Sequence, residues 1–388
     1  MVSTKKIGLI SNWGGNIGHE LITIGVEVAS MEAFKDSKVE FVNIERHYRP
    51  FNIYPAYNPV RLMNLMPWGW GSFLKIVVNN PALSRFLSHF VSSRVPKLDI
   101  AIACGGPVIT LKASQSPEIC LMFNHFLECF KYNGVKVLNL GVGSCYPIEN
   151  IPQKVLEIED IRYLTRMFAA CENITVRDVS AMNLCKSMNG HYQLIPCPSV
   201  LSGIRFESEV LKMRKNDKDS FIVLNILSKG ANEDWGQNVD PEAWFSICRE
   251  LTQRLLLHRH KIKFVCHSDS EYCLAEKINS VVPRFRPRTV QEYFRVIAGA
   301  KVGLCNRIHA AMPLASIGIP SVGVGTDTRL KTLETIGLPT FYVKEVNVDL
   351  LEERIEHLVK RRTTEAERLK NLRDSALQQY VKLLRTIN

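Results

Sequence analysis

The sequence has no run approaching the ~18 uninterrupted apolar residues that a membrane-spanning helix requires. Met1 to Lys6 lead into a strand-like Ile7-Gly8-Leu9-Ile10 without the apolar core of a signal peptide, so a cytoplasmic protein is expected. Although the chain carries 11 cysteines, it has no CxxC pair and no Cys/His cluster at metal spacing. Cys104, Cys266 and Cys305 end apolar runs, where a free thiol behaves as a small hydrophobe. Disulfides and metal sites are therefore not expected, and the pattern calls for no organic cofactor. Internal repeats and low-complexity tracts are also missing. The basic residues have neither an RNP-like aromatic motif nor a zinc finger beside them, which argues against nucleic acid as the partner.

What is present is a globular composition. The 388 residues are 46% hydrophobic and 22% charged, enough for two cored domains, since single cores rarely grow far beyond roughly 250 residues. A formal charge of +11, from 49 Lys+Arg against 38 Asp+Glu, points to an anionic partner. Short apolar runs alternate with helical patterns throughout, as in mostly parallel sheets wrapped by helices. The expected strands in the first half are 6–10, 39–44, 99–104, 135–141, 174–177 and 192–195; those in the second are 221–227, 261–266, 301–304, 321–324 and 340–343. Asp240 before Pro241 is an N-cap followed by proline at the first helical position. The expectation is an α/β protein of two Rossmann-like domains facing across a cleft, 1–204 and 221–388, joined by a charged linker at 205–220. The second domain ends in an amphipathic helix from Thr364 to Leu384. Ligands of such sheets bind beyond the carboxyl ends of the strands.

Several chemistry-bearing residues fall at those ends. After the first strand, the turn around Gly14-Gly15-Asn16-Ile17-Gly18 permits close backbone approach, and its helix start offers donors to an anion; a tight turn without a ligand is the plainer reading. The turn has no GxGxxG pattern and no Walker lysine, which weakens any NAD or P-loop assignment. Cys104-Gly105-Gly106-Pro107 and Gly141-Val142-Gly143-Ser144 follow two further strands. Arg177, at the end of Ile174-Thr175-Val176, either grips a carboxylate or phosphate with its planar fork or forms a surface pair with Asp178. His267 follows the strand at 261–266, with Ser268 and Asp269 set to cap the next helix. In Gly303 to His309 a strand runs into Arg307-Ile308-His309 at a helix start, so an arginine, a proton donor and helix N–H groups converge. Asp327 and Arg329 close the next strand.

These residues resemble the polysaccharide pyruvyl transferase family. The likeness runs from the Gly14 to Gly18 turn through Gly105-Gly106, Gly141-Val142-Gly143 and Val176-Arg177-Asp178 to His267 and Asp269. It is sharpest in Thr289-Val290-Gln291-Glu292, Asn306-Arg307-Ile308-His309 and Gly318-Ile319-Pro320 followed by Asp327. The resemblance implies a fold like the GT-B glycosyltransferases and transfer of pyruvate from phosphoenolpyruvate to a sugar, possessed by a polysaccharide or its lipid-linked precursor, as a cyclic ketal. It further implies that Arg177, Arg307 and His309 hold phosphoenolpyruvate. His309 is the candidate acid and His267 the candidate base or phosphate contact, an assignment that can be reversed. Gly15, Asn16, Asp327 and Arg329 complete the candidate substrate contacts.

The chain departs from the family pattern at three places. His19 stands where an aspartate is usual, Cys197-Pro198 where a DP dipeptide is usual, and Thr326-Asp327-Thr328-Arg329 where Tyr-Asp-x-Lys is usual. Between Arg61 and Lys97, the apolar residues Met63, Met66, Trp68, Trp70 and Phe73, then Leu83, Phe86, Leu87, Phe90 and Val91, accompany Arg85 and Arg94. This stripe either packs on its own domain or rests on an anionic membrane that carries the acceptor. Two other functions remain open: a nucleotide-sugar glycosyltransferase of the same shape, and a non-catalytic protein that binds an anionic glycan or lipid diphosphate.

Overall fold

A computed structural model of the chain describes residues 4–11, 17–44, 97–115, 126–155, 157–188, 192–214, 220–231 and 234–387. The membrane-or-core stripe at 61–96 lies outside them. Two compact units divide the chain, one taking Met1–Ser144, Pro152–Pro198 and Gln379–Asn388, the other Cys145–Ile151 and Ser199–Gln378.

In the first unit β1 (Thr4–Ile10), β2 (Lys38–Asn43), β3 (Ile100–Thr110), β4 (Lys136–Cys145), β5 (Asn173–Val176) and β6 (Tyr192–Leu194) form a six-stranded sheet in the order β2-β1-β3-β4-β5-β6. Helices α1 (Ile17–Ala33), α2 (Phe126–Tyr132), α3 (Ile158–Ala169) and α4 (Val179–Lys186) alternate with the strands. The direction of winding reverses between β1 and β3. The second unit has its own sheet from β7 (Phe221–Asn225), β8 (Lys261–Val265), β9 (Arg284–Phe285), β10 (Ala300–Cys305), β11 (Ser321–Gly325) and β12 (Thr340–Tyr342). Its order is β12-β11-β10-β7-β8-β9, and every pairing in it is parallel. That is a doubly wound order whose switch point, where ligands bind in such sheets, lies between β7 and β10. β9 was not expected, because two residues carry no periodic signal.

β7 is buried along its whole length, which explains its unbroken Phe-Ile-Val-Leu run: a central parallel strand is covered on both faces. The unit's helices are α5 (Glu207–Met213), α6 (Pro241–Leu257), α7 (Asp269–Ile278), α8 (Val290–Ile297), α9 (Ile308–Ser316), α10 (Leu330–Glu334), α11 (Val348–Lys360) and α12 (Arg362–Arg385), whose last turns from Gln379 belong to the first unit. As the sequence suggests, Asp240 caps α6, accepting from the Glu242 N–H at 2.9 Å. Beneath the helices a continuous core joins Leu224, Trp244, Phe264, Leu304, Val324 and Leu351.

The segment at 205–220 begins as a helical stretch packed on the second unit. Phe206 stacks on Phe294 with centroids 4.8 Å apart, and Arg214 donates to the Ala298 and Ile317 carbonyls at 3.0 and 2.6 Å. Phe206 is thus covered and Val210 buried, while Leu211 and Met213 stay exposed, a division that the charge-rich composition conceals. Just before it, Gly203 lies against the end of α9: a Cβ there would meet the Ile317 Cγ2 at 2.7 Å and the Ser316 carbonyl oxygen at 2.9 Å. Gly203→Ala is therefore expected to destabilise the protein by about 1–3 kcal/mol, the usual cost of overpacking, measured as a lower urea midpoint.

Candidate active site

The carboxyl ends of four neighbouring strands in the second unit carry most of the residues singled out by the sequence. Asn225 ends β7, His267 follows β8, Asn306 and Arg307 follow β10, and Asp327 and Arg329 follow β11. Two buried asparagines tie these ends together. Asn225 donates to the Val265 carbonyl at 2.9 Å and accepts from the Arg307 N–H at 3.1 Å. Asn306 accepts from the Leu227 N–H at 2.7 Å and donates to the Val324 carbonyl at 2.9 Å.

Arg307 is the N-cap residue of α9 and offers its helix no side-chain cap. Its guanidinium instead turns to Glu271, donating to Oε1 from Nε at 2.8 Å and from Nη2 at 2.7 Å. His309 is the half-exposed polar residue in the first turn of a helix otherwise made of buried residues. His267 is packed edge-on to Tyr293, with centroids 5.4 Å apart, and its Nε2 lies 3.3 Å from the Tyr293 hydroxyl. Its Nδ1 is sealed from solvent without a partner.

Burial drives the His267 imidazole down to about 4; Glu271 pulls the other way and the Arg307 charge adds to the fall. The ring is consequently neutral at neutral pH. Burial opposes the charge on Glu271, but His267, Arg307 and the His267 N–H together hold its carboxyl below the ordinary value. Asp327, also buried, takes Arg329 in a two-pronged pair, accepting from Nε at 2.8 Å and Nη2 at 2.6 Å.

Arg177 belongs to the first unit, and its surface pair with Asp178 is not what forms. Both residues are fully buried. Asp178 caps α4 through the Ala181 N–H at 2.7 Å and binds Ser144 through that residue's N–H at 2.9 Å and hydroxyl at 2.7 Å. Burial raises Asp178 above the usual carboxylate value despite these bonds. The Arg177 guanidinium lies against Gly143, where a Cβ would meet Cζ and Nη2 at 2.8 Å. Nη1 faces the Cys197 sulfur at 3.8 Å, while Nε and Nη2 are buried without hydrogen-bond partners. Leaving such donors unpaired costs on the order of 1–3 kcal/mol or more. Burial and the Arg177 charge together hold His19 down to about 4.

The structure thus joins His267 and Arg307 in one hydrogen-bonded cluster and clasps Asp327 to Arg329 beside it. Arg177 sits in the first unit's sheet, and Gly15 and Asn16 lie outside the described residues. Glu271, Asn225 and Tyr293 were not foreseen. For Glu271 the signal was present, because Ser268-x-x-Glu271 is a capping box. Among the described residues there is no group of three or more His, Cys, Asp or Glu arranged to hold a metal ion, and no helix is long and apolar enough to cross a membrane.

Two outcomes follow from these environments. His19 and His267 resist protonation when folded but take protons near 6.5 when unfolded, so stability falls as pH drops from about 6.5 towards about 4. Urea titrations at stepped pH should show this fall, and His19→Gln should flatten part of it. Gly143→Ala should push the Arg177 guanidinium aside and weaken binding of anionic substrate, measured by calorimetry.

Known structures show where this architecture recurs. The S. aureus MnaA–UDP co-structure is 12% identical with a TM-score of 0.55, over 95% of this chain and 92% of that one. The UDP-GlcNAc 2-epimerase of Neisseria meningitidis bound to UDP-GlcNAc is 12% identical with a TM-score of 0.55, over 98% and 100%. The trehalose 6-phosphate synthase of Burkholderia multivorans is 10% identical with a TM-score of 0.52, over 100% and 98%. At these identities the likeness is one of fold, and that fold is GT-B-like. A search of curated proteins finds no match. The family model described as polysaccharide pyruvyl transferase matches residues 32–328.

Proposed function

This chain belongs to the polysaccharide pyruvyl transferase family and is a transferase; from that premise we propose that it moves pyruvate from phosphoenolpyruvate onto a sugar as a cyclic ketal, releasing phosphate. The acceptor sugar belongs to a polysaccharide or its lipid-linked precursor. The observation that most supports this reading is Arg307-Ile308-His309 at the start of α9, beside the switch point between β7 and β10.

Phosphoenolpyruvate presents a phosphate and a carboxylate on a small enol. Arg307 has one edge committed to Glu271 and turns its remaining donors to an anion; the uncapped start of α9 adds N–H groups and a favourable dipole. In the first unit, the unpartnered donors of Arg177 suit an anionic group of a substrate. Arg329, oriented by Asp327, supplies a further cation.

His309 donates a proton to the methylene carbon, which becomes the methyl of the ketal. The cationic centre formed at C2 is attacked by one sugar hydroxyl, phosphate leaves, and a second hydroxyl closes the ring. One hydroxyl proton replaces the proton given to the methyl group and the other departs with phosphate, so the step balances. His267 is neutral near pH 7, but an imidazole held down to about 4 is a weak base, so of its two candidate roles the contact with phosphate through a ring N–H is the better supported.

Purified protein mixed with phosphoenolpyruvate and a panel of galactosides, glucosides and mannosides should release phosphate and raise the acceptor mass by one pyruvate less one water. Consumption of a UDP-sugar instead would keep the fold and overturn the donor. His309→Ala should lower turnover by roughly 10²- to 10⁴-fold. Arg307→Lys keeps the charge but loses the planar fork, so the KM for phosphoenolpyruvate should rise.

A further inference from the structure

We propose that Glu271 is the positioning residue of this site, one buried carboxylate that holds the Arg307 guanidinium and the His267 backbone in a fixed mutual register. The proposal rests on the reading of Arg307 and His267 as site residues. A capping-box glutamate ordinarily reaches back to the N–H of the N-cap residue, here Ser268; Glu271 instead accepts from the N–H of the residue before that cap, His267, through Oε2 at 2.9 Å. The same oxygen accepts from Asn225 Nδ2 at 2.9 Å. Oε1 accepts from the Ser268 hydroxyl at 3.0 Å and from Arg307 Nε at 2.8 Å and Nη2 at 2.7 Å.

Capping needs none of the Arg307 contacts, which reach 36 residues along the chain to a different strand end. Among the described residues, no other side chain bonds to both Arg307 and His267. The groups around Glu271 are all donors, so only a carboxylate satisfies them. An amide of the same size must turn its own N–H₂ either on Arg307 or on the His267 N–H and Asn225. The clamp also takes one edge of the guanidinium, so Arg307 can meet substrate only with the opposite edge. Glu271 thereby sets the direction from which an anion is bound relative to His267.

Glutamine serves a capping box as well as glutamate does. E271Q keeps the Ser268 cap, which needs only the backbone N–H at 271, and breaks the clamp on one side or the other. With phosphoenolpyruvate and a responsive acceptor, E271Q should lose about 10²-fold in kcat, the scale of a misplaced contact group. In an R307K background the same change should cost far less, because the pair acts as a unit. A second readout needs no substrate: phenylglyoxal should modify Arg307 several-fold faster in E271Q than in the unaltered protein, read by peptide mass spectrometry at matched melting temperature.

An unchanged Arg307 modification rate, or losses that simply multiply in the double variant, would overturn the proposal. Should the unaltered protein release no phosphate from phosphoenolpyruvate, the pyruvyl-transfer reading fails and the modification rate alone judges Glu271. If E271Q does not fold, E271D carries the same test, since it keeps the charge but is one methylene too short to reach both partners.

Discussion

A parallel sheet finishes every strand on the same edge, where the backbone must leave the ladder and still satisfy its polar groups away from water. In the second unit two buried side-chain amides meet this constraint. Asn225 ties the end of β7 to those of β8 and β10, and Asn306 ties β10 to the residues after β7 and to β11. An amide carries donors and an acceptor together, so each asparagine closes bonds of both kinds. The positions of His267, Arg307 and Asp327 follow from this stitching, because each lies within two residues of a strand end that it fixes.

The two units treat positive charge differently. In the second, Arg307 is matched by Glu271 and Arg329 by Asp327. In the first, Arg177 is more deeply buried than either, yet Asp178 spends its oxygens on Ser144 and on the start of α4. Asp178 feels the Arg177 charge, but among the described residues the guanidinium's hydrogen-bond contact is the Cys197 thiol. Buried arginines without hydrogen-bonded anions are costly, which makes Arg177 the least satisfied cation of the candidate set.

Much of this was legible in the residues. Alternating apolar runs and helical patterns gave two parallel sheets, and Asp240-Pro241 marked a helix start that forms as expected. Arg307-Ile308-His309 stood out because its polar residues open an otherwise apolar helix. What stayed hidden were long-range partners: nothing local tells Glu271 that Arg307 will meet it, and a capping box explains its presence without a site. Charge content at 205–220 concealed the packing of Phe206 on Phe294, since composition averages away a single ring stack. The burial of Asp178 was equally invisible, because its chief partner Ser144 comes from another strand.

The division of the chain into units bears on the order in which they can be completed during synthesis. The first unit includes Gln379–Asn388, the last residues of the chain. There Tyr380, Leu383, Leu384 and Ile387 are buried; the Tyr380 hydroxyl donates to the Pro196 carbonyl at 2.9 Å and Arg385 Nε to that of Ala33 at 3.2 Å. Domains generally fold in the order in which they leave the ribosome. Here the simple order does not hold: the first unit's core is sealed only by 379–388, residues made after every residue of the second unit, so neither unit is complete long before the other.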